Sequence, residues 1–289
     1  MKNIVLVLLL AVLRAVLCPA QSQTMPQQIA HAYAPLDKSK TATGYLIDLS
    51  IALADPHDYR GTLSDSNFTD INTFGLLYAE MRGAQTPFGL NLPSPKVYLN
   101  KIRKGFDGQV LPIAIMNWRY DEIRLEAGFL NLINYTNGQY FDVPASLQSP
   151  YMQDTLVIAT SLFESVNTLR PGFTLPLDLW FSNWSLQMPQ ISIDFGDGAG
   201  WQIFGIGDTI NANYNNIGEK EITVRLDYGG FAKYCHSKLT VVSAPSTDRV
   251  GAMNWPQELH QILPVTSSKA YTDPSGVSAF GNATMHIFF

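Results

Sequence analysis

The chain has 289 residues, a formal net charge of −5 and only 15% charged residues, against about 25% in typical soluble domains. A mildly acidic chain without a basic cluster carries no electrostatic footprint for nucleic acid. Hydrophobic residues make up 46%, enough for a sizeable core, and the length sets a prior of about two domains. Low charge, 21 Gly, 17 Pro and many short apolar runs suit an all-β extracellular protein better than a cytosolic helical one.

Residues 1–20 read as a signal peptide. Lys2 supplies the positive start, Ile4 to Leu13 is an unbroken apolar stretch, and Ala20 stands before a cleavage point at Gln21. Arg14 interrupts the apolar character. The alternative is a membrane anchor, but the stretch is well short of the ~20 residues a spanning helix needs. A lipid anchor on Cys18 is a further alternative, against which Leu17 stands where a small residue is wanted. Cleavage removes Lys2 and Arg14 and no acid, so the mature chain is more acidic and has no transmembrane helix. Cys18 leaves with it, and Cys235 then has no intrachain partner. That pattern suits a bacterial exported protein better than an animal secreted one, where disulfides are common.

Residues 21–44 are polar and proline-containing, and are expected to form a flexible lead-in. From Thr69 to Arg82 the spacing of Ile71, Phe74, Leu77, Tyr78 and Met81 predicts a helix, with Asp70 as cap and Gly83 at its C′ position. A second, short helix is expected over Lys96–Arg103. From Val110 the pattern turns to strands: Leu111, Ile113 and Ile115 alternate, with Trp118 and Tyr120 on the other parity. Tyr135-Thr-Asn-Gly138 has turn chemistry, and Leu156–Ala159 is a short strand-like run. Residues 45–160 are therefore expected to form one small mixed, β-rich N-terminal domain.

The second half alternates more clearly. Leu175, Leu177, Leu179 and Phe181 alternate with Pro176, Asp178, Trp180 and Ser182. Ile191, Ile193 and Phe195 form a second run, Ile222, Val224 and Leu226 a third, and Leu239 and Val241 a fourth. Such runs, parted by Gly, Asp and Asn, predict an antiparallel β-sandwich. Residues 245–289 begin like a linker and end in a strand-like tail, Ala283 to Phe289, which is the expected start of a further β segment. A chain that stops inside a strand raises the expectation of a longer protein.

Asp194-Phe-Gly-Asp-Gly198 resembles the signature of the PKD domain (polycystic kidney disease repeat). The second signature of that family matches Tyr214, Gly218, Ile222, Val224 and Leu226. The resemblance covers residues 169–244 and implies an Ig-like antiparallel sandwich. Ile193, Ala212 and Lys220 stand where the family often has a tryptophan, a histidine and an aromatic residue. Asp197-Gly198 suits a tight turn. Tyr214 suits a tyrosine corner, with its ring in the core and its hydroxyl on backbone. Gly218 suits the entry to the last strand pair. Thr43 to Leu46, Pro112 to Trp118 and Asn137 to Asp142 resemble the N-terminal part of large exported bacterial surface proteins. In these a PKD-like module can precede a catalytic domain, lipase-like in some cases.

No G-x-S-x-G elbow, H-E-x-x-H, Walker loop or Cys/His zinc spacing occurs. Gly196 and Gly198 begin a G-x-G-x-x-G pattern that fails at Trp201. His31, His57, His236, His260 and His286 are scattered, and each reads as a surface or packing residue. Asp121, Glu122 and Glu126 cluster after Trp118; paired carboxylates of a glycosidase have no local signature, and a solvated strand edge or turn is the plainer reading. Asp194 and Asp197 are too few for Ca²⁺, which takes about 6–8 oxygens. The expectation is therefore no catalytic residue, no metal and no cofactor.

Trp180 shares a face with Asp178 and Ser182, away from the apolar alternation, and Trp184 and Trp201 lie nearby in sequence. An outward tryptophan stacks on sugars or anchors a partner; cover by a neighbouring segment is the plainer reading. Together with the resemblance, this implies a secreted or cell-surface, non-catalytic module for contact with an extracellular protein or glycan. The alternative is an accessory N-terminal portion of an exported hydrolase whose catalytic domain lies beyond Phe289.

Overall fold

The structure, a computed structural model, describes residues 24–96, 110–143, 148–184 and 188–242, and the backbone of 264–265 and 285–286. The expected signal peptide and the helix expected over Lys96–Arg103 fall largely or wholly outside these residues, as does most of the tail. The fold is mostly β. Among the described residues no helix is long and apolar enough to cross a membrane.

Helix α1 (Met25–Ala32) starts on a capping box between Thr24 and Gln27. Helix α2 (Ile71–Gly83) is capped by Asp70, which accepts from Thr73 N at 2.6 Å. The five apolar residues that predict α2 are all buried. Gly83 is its last helical residue rather than C′, and Ala84 forms the C-cap in a right-handed conformation.

The strands are β1 (Val110–Ile123), β2 (Ile133–Thr136), β3 (Gln139–Asp142), β4 (Tyr151–Ser161), β5 (Ser165–Val166) and β6 (Gly172–Thr174). They continue with β7 (Trp180–Ser182), β8 (Gln190–Asp194), β9 (Gln202–Ile203), β10 (Thr209–Asn211), β11 (Gly218–Asp227) and β12 (Ala232–Val241). A small ladder joins β13 (Pro264–Val265) to β14 (Met285–His286). One five-stranded sheet runs β10-β6-β1-β4, with β7 also on β1; the other runs β5-β12-β11-β8-β9. β2 and β3 form a hairpin through Asn137 and Gly138, both at positive φ, the two-residue turn that this pair favours.

The two large sheets meet through aromatic side chains. Phe173 of β6 stacks on Phe195 at 4.5 Å, and Phe195 meets Phe204 edge-on at 5.9 Å. β1 is buried along nearly its whole length on both faces. Phe181, in register with Met116, packs on Phe74 and Tyr78 of α2. Asn117, of opposite parity, reaches the Tyr228 hydroxyl beyond β11. So α2 covers one face of this sheet and the second sheet covers the other.

This arrangement corrects the expected division into domains. β6 and β7, from the segment 169–244, pair in parallel with β1, from the segment 45–160. One apolar core runs from Tyr45 to Val241 through both segments. The sheets are also not purely antiparallel, since β5 runs parallel to β12. The lead-in is corrected as well. Tyr33 stacks on Tyr140 at 4.9 Å and belongs, with Ala32 and Leu36, to a second core under the β2–β3 hairpin.

The expected strand over 175–182 is interrupted. Pro176 opens a 3₁₀ turn over Leu177–Leu179, and only Trp180–Ser182 is strand. Leu175, Leu179 and Phe181 are buried as expected, whereas Leu177 is 68% exposed because the turn rotates it outward. Ile193, Phe195, Tyr214, Ile222, Val224 and Leu226 are all buried.

Candidate functional site

The Asp194–Gly198 segment is a turn held by its own carboxylates. Asp194 Oδ1 accepts from Gly196 N at 2.9 Å, Asp197 Oδ1 from Ala199 N at 3.0 Å, and Asp197 Oδ2 from Asn213 N at 2.9 Å. Gly196, Gly198 and Gly218 all have positive φ. At Gly196 a Cβ would lie 2.5 Å from the Glu221 carbonyl oxygen, so the close approach of β11 requires glycine as well. Tyr214 is buried and donates to Phe195 O at 2.9 Å. These residues shape the fold.

The tryptophans separate. Trp180 is half-buried, pairs in register with Ile115 and packs against the common core. It does not stand free on the surface beside Asp178 and Ser182. Asp178 is exposed on the 3₁₀ turn, and Ser182 Oγ accepts from Trp184 N at 3.2 Å. Trp201 is 47% exposed and meets Tyr234 edge-on at 6.2 Å. Tyr234 and Lys233 are successive strand residues and project to opposite faces, so Trp201 lies apart from the cluster that includes Lys233.

That cluster centres on Trp184. The β11–β12 turn, Tyr228-Gly-Gly-Phe231, closes with Tyr228 N donating to Phe231 O at 3.0 Å and Gly229 N to Asp227 Oδ1 at 2.8 Å. This places Tyr228 and Phe231 face to face, 4.8 Å apart and 13° from parallel. Trp184 lies 4.9 Å from Tyr228 and 6.5 Å from Phe231. The Arg119 guanidinium sits 5.3 Å from the indole and the Lys233 ammonium 5.8 Å, within cation–π range. Asn183 clamps Arg119, accepting from its amide and donating to its carbonyl, each at 2.7 Å.

The electrostatics follow from burial. Tyr228 is pushed up to about 12 by burial, against the hydrogen bond from Asn117. Burial lowers the Lys233 pKa, with Asp154 opposing. Trp184 Nε1 is buried with no hydrogen-bond acceptor among the described residues, while Phe231 is 53% exposed. The arrangement offers a partly exposed aromatic surface flanked by two cations. Tyr228, Phe231, Arg119 and Lys233 escaped the reading of the sequence. Two aromatics flanking a Gly-Gly turn were the signal available for the first pair.

The carboxylates after Trp118 disperse. Asp121 is buried and structural, accepting from Thr43 N at 2.8 Å and Thr43 Oγ1 at 2.6 Å. Glu126 is exposed and 3.7 Å from Arg124. Glu122 alone meets a histidine: its Oε2 lies 2.7 Å from His57 Nε2, and Asp154 completes a three-residue cluster with ligand atoms within 4.8 Å of one another. His236, by contrast, is a buried packing residue under Phe68, held by Glu221 and Asn67. No protein-family model, curated protein or solved structure matches the chain.

Proposed function

We propose that the chain is an exported, non-catalytic surface module with a PKD-like, Ig-type sandwich, which contacts an extracellular protein or glycan at the mouth between its two sheets. The observation that carries this reading is the aromatic stack Trp184–Tyr228–Phe231 flanked by Arg119 and Lys233. Aromatic residues and Arg are the side chains that most often dominate contact surfaces. A half-exposed ring over a buried one presents area at little entropic cost, because Tyr228 already fixes Phe231. The two cations beside the exposed ring favour a partner bearing carboxylate or other oxygen acceptors.

The test is a glycan and protein binding screen of the chain, followed by Phe231→Ala and Lys233→Ala on each ligand found. The reading expects at least a tenfold loss of affinity for Phe231→Ala, about 1.4 kcal/mol, with a nearly unchanged melting temperature. Unaltered binding by both variants would remove the mouth from consideration.

A further inference from the structure

The segment after Leu49 crosses the first sheet largely as loop, and one side chain fastens its middle. Asp55 caps the 3₁₀ turn Pro56–Tyr59 and accepts from His57 N at 3.0 Å. The same Oδ1 atom lies 2.6 Å from His57 Nδ1. The imidazole is thereby fixed in orientation, with Nε2 aimed at β1. There it meets Glu122 Oε2 at 2.7 Å. Asp154, on the neighbouring strand β4, supplies a third donor, and the ligand atoms of His57, Glu122 and Asp154 all lie within 4.8 Å of one another. All three residues are half-buried.

A second observation points into the same place. Tyr120 is the register partner of Asp154, so both side chains emerge on one face of the sheet, and Glu122, two residues on, shares that face. The Tyr120 ring meets the His57 ring edge-on at 6.4 Å. Its hydroxyl is fully buried and has no hydrogen-bond partner among the described residues. Buried hydroxyls are nearly always bonded, and this one lies close enough to Asp154 and Glu122 to feel both charges while bonding neither.

We propose that His57 Nε2, Glu122 and Asp154 bind one divalent ion of the zinc class, with a fourth position left for water beside the Tyr120 hydroxyl. One imidazole and two carboxylates suit Zn²⁺, which takes His nitrogen and carboxylate oxygen in fours. Ca²⁺ and Mg²⁺ favour oxygen-only shells. Asp55 stands where a metal-bound histidine usually has a carboxylate on its other nitrogen. Arg60, paired with Asp154, steadies that ligand from outside, and Asp154 Oδ1 also accepts from Thr155 N at 2.7 Å. The ion would staple the loop to β1 and β4. This inference is independent of the contact surface at the mouth.

The experiment uses the whole chain, stripped with a chelator and titrated with Zn²⁺ by calorimetry, with Co²⁺ as a spectroscopic probe. The expected result is one ion per chain at His57, a raised melting temperature, and visible Co²⁺ absorption of a four-coordinate site. His57→Gln and Glu122→Gln should abolish all three, and His31→Gln should not. If those variants fail to fold, diethylpyrocarbonate on the unaltered chain decides. Saturating Zn²⁺ should protect His57 at least tenfold while the exposed His31 goes on reacting. Absence of stoichiometric binding, binding retained in both ligand variants, or an unprotected His57 would each overturn the proposal.

Discussion

The Tyr214 hydroxyl donates to the Phe195 carbonyl at 2.9 Å, with both groups buried. The bond ties the segment before β11 to the turn that ends β8, and it sits beside the Phe173–Phe195 stack that joins the sheets. Tyr214→Ala removes ring and bond together and should cost about 3–5 kcal/mol, the scale of large aromatic truncations. Tyr214→Phe keeps the ring and strands the carbonyl, costing about 1–2 kcal/mol. Urea unfolding of the whole chain measures both. A loss below about 1 kcal/mol for Tyr214→Ala would contradict the buried-corner role.

The glycines of the Asp194–Gly198 turn are not equivalent. Both Gly196 and Gly198 have positive φ, at 67° and 89°. Only Gly196 also has backbone where a Cβ would go, with Glu221 O at 2.5 Å, whereas the space at Gly198 is open. Gly198→Ala should therefore cost about 1 kcal/mol, the conformational part. Gly196→Ala should cost clearly more, about 2–4 kcal/mol, because β11 must shift away. Matched urea midpoints for the two variants would show that the contact with Glu221 is unimportant.

Local chemistry explains which parts of the fold were legible in the sequence. The α2 face, the Asn137-Gly138 hairpin, the Asp194–Gly198 turn and the inward set from Ile193 to Leu226 are each set by neighbours a few residues apart. The partner of β6 and β7 is not. Both pair with β1, a strand on the far side of the presumed domain boundary, and nothing in a three-residue strand names its partner. The error at Leu177 has a different cause. Its alternation is genuine, but Pro176 turns the chain into a 3₁₀ turn that rotates one leucine out.

Cys235 offers a check on β12. It lies in register with Val224, on the inward face of the second sheet, and is buried. Burial alone pushes its thiol pKa well above the usual range, and the thiolate is the reactive form. Native protein should leave Cys235 unmodified by an alkylating reagent at neutral pH, and urea-unfolded protein should react fully. Peptide mass spectrometry distinguishes it from Cys18. Labelling of the native chain at the rate of an exposed thiol would mean that β12 does not face the core in this register.

The candidate sites were less legible than the fold, for a geometric reason. His57 and Glu122 are 65 residues apart, and Trp184 and Tyr228 follow strands of different sheets, β7 and β11. Asp121 and Glu122 read as one cluster in the sequence, yet as consecutive strand residues they part to opposite faces, one to Thr43 and the other to His57. Cover was the plainer reading for Trp180, but its source, β1 beside Ile115, lies far away in sequence.

The segment 169–244 covers the whole resemblance to a PKD domain. Within it β8, β9, β11 and β12 make a nearly complete second sheet, but β6, β7 and β10 are three residues each. In the first sheet β7 has only β1 as partner, and β6 lies between β10 and β1. Excision would strip β1 and β4 from the sheet and uncover Leu179 and Phe181, which are buried in the whole chain. Ile191 and Leu226, part of the same core as the β1 side chains, would lose part of their cover too. A two-stranded remnant is marginal without a packed face. The fragment 169–244 should therefore show no cooperative urea transition by circular dichroism, whereas 24–244 should unfold in one sharp step. A cooperative transition in the short fragment would mean that the second sheet and its short strands suffice as a PKD-like unit. β1 and β4 would then be a separate layer laid against it, and the boundary near residue 169 would stand as a true domain edge.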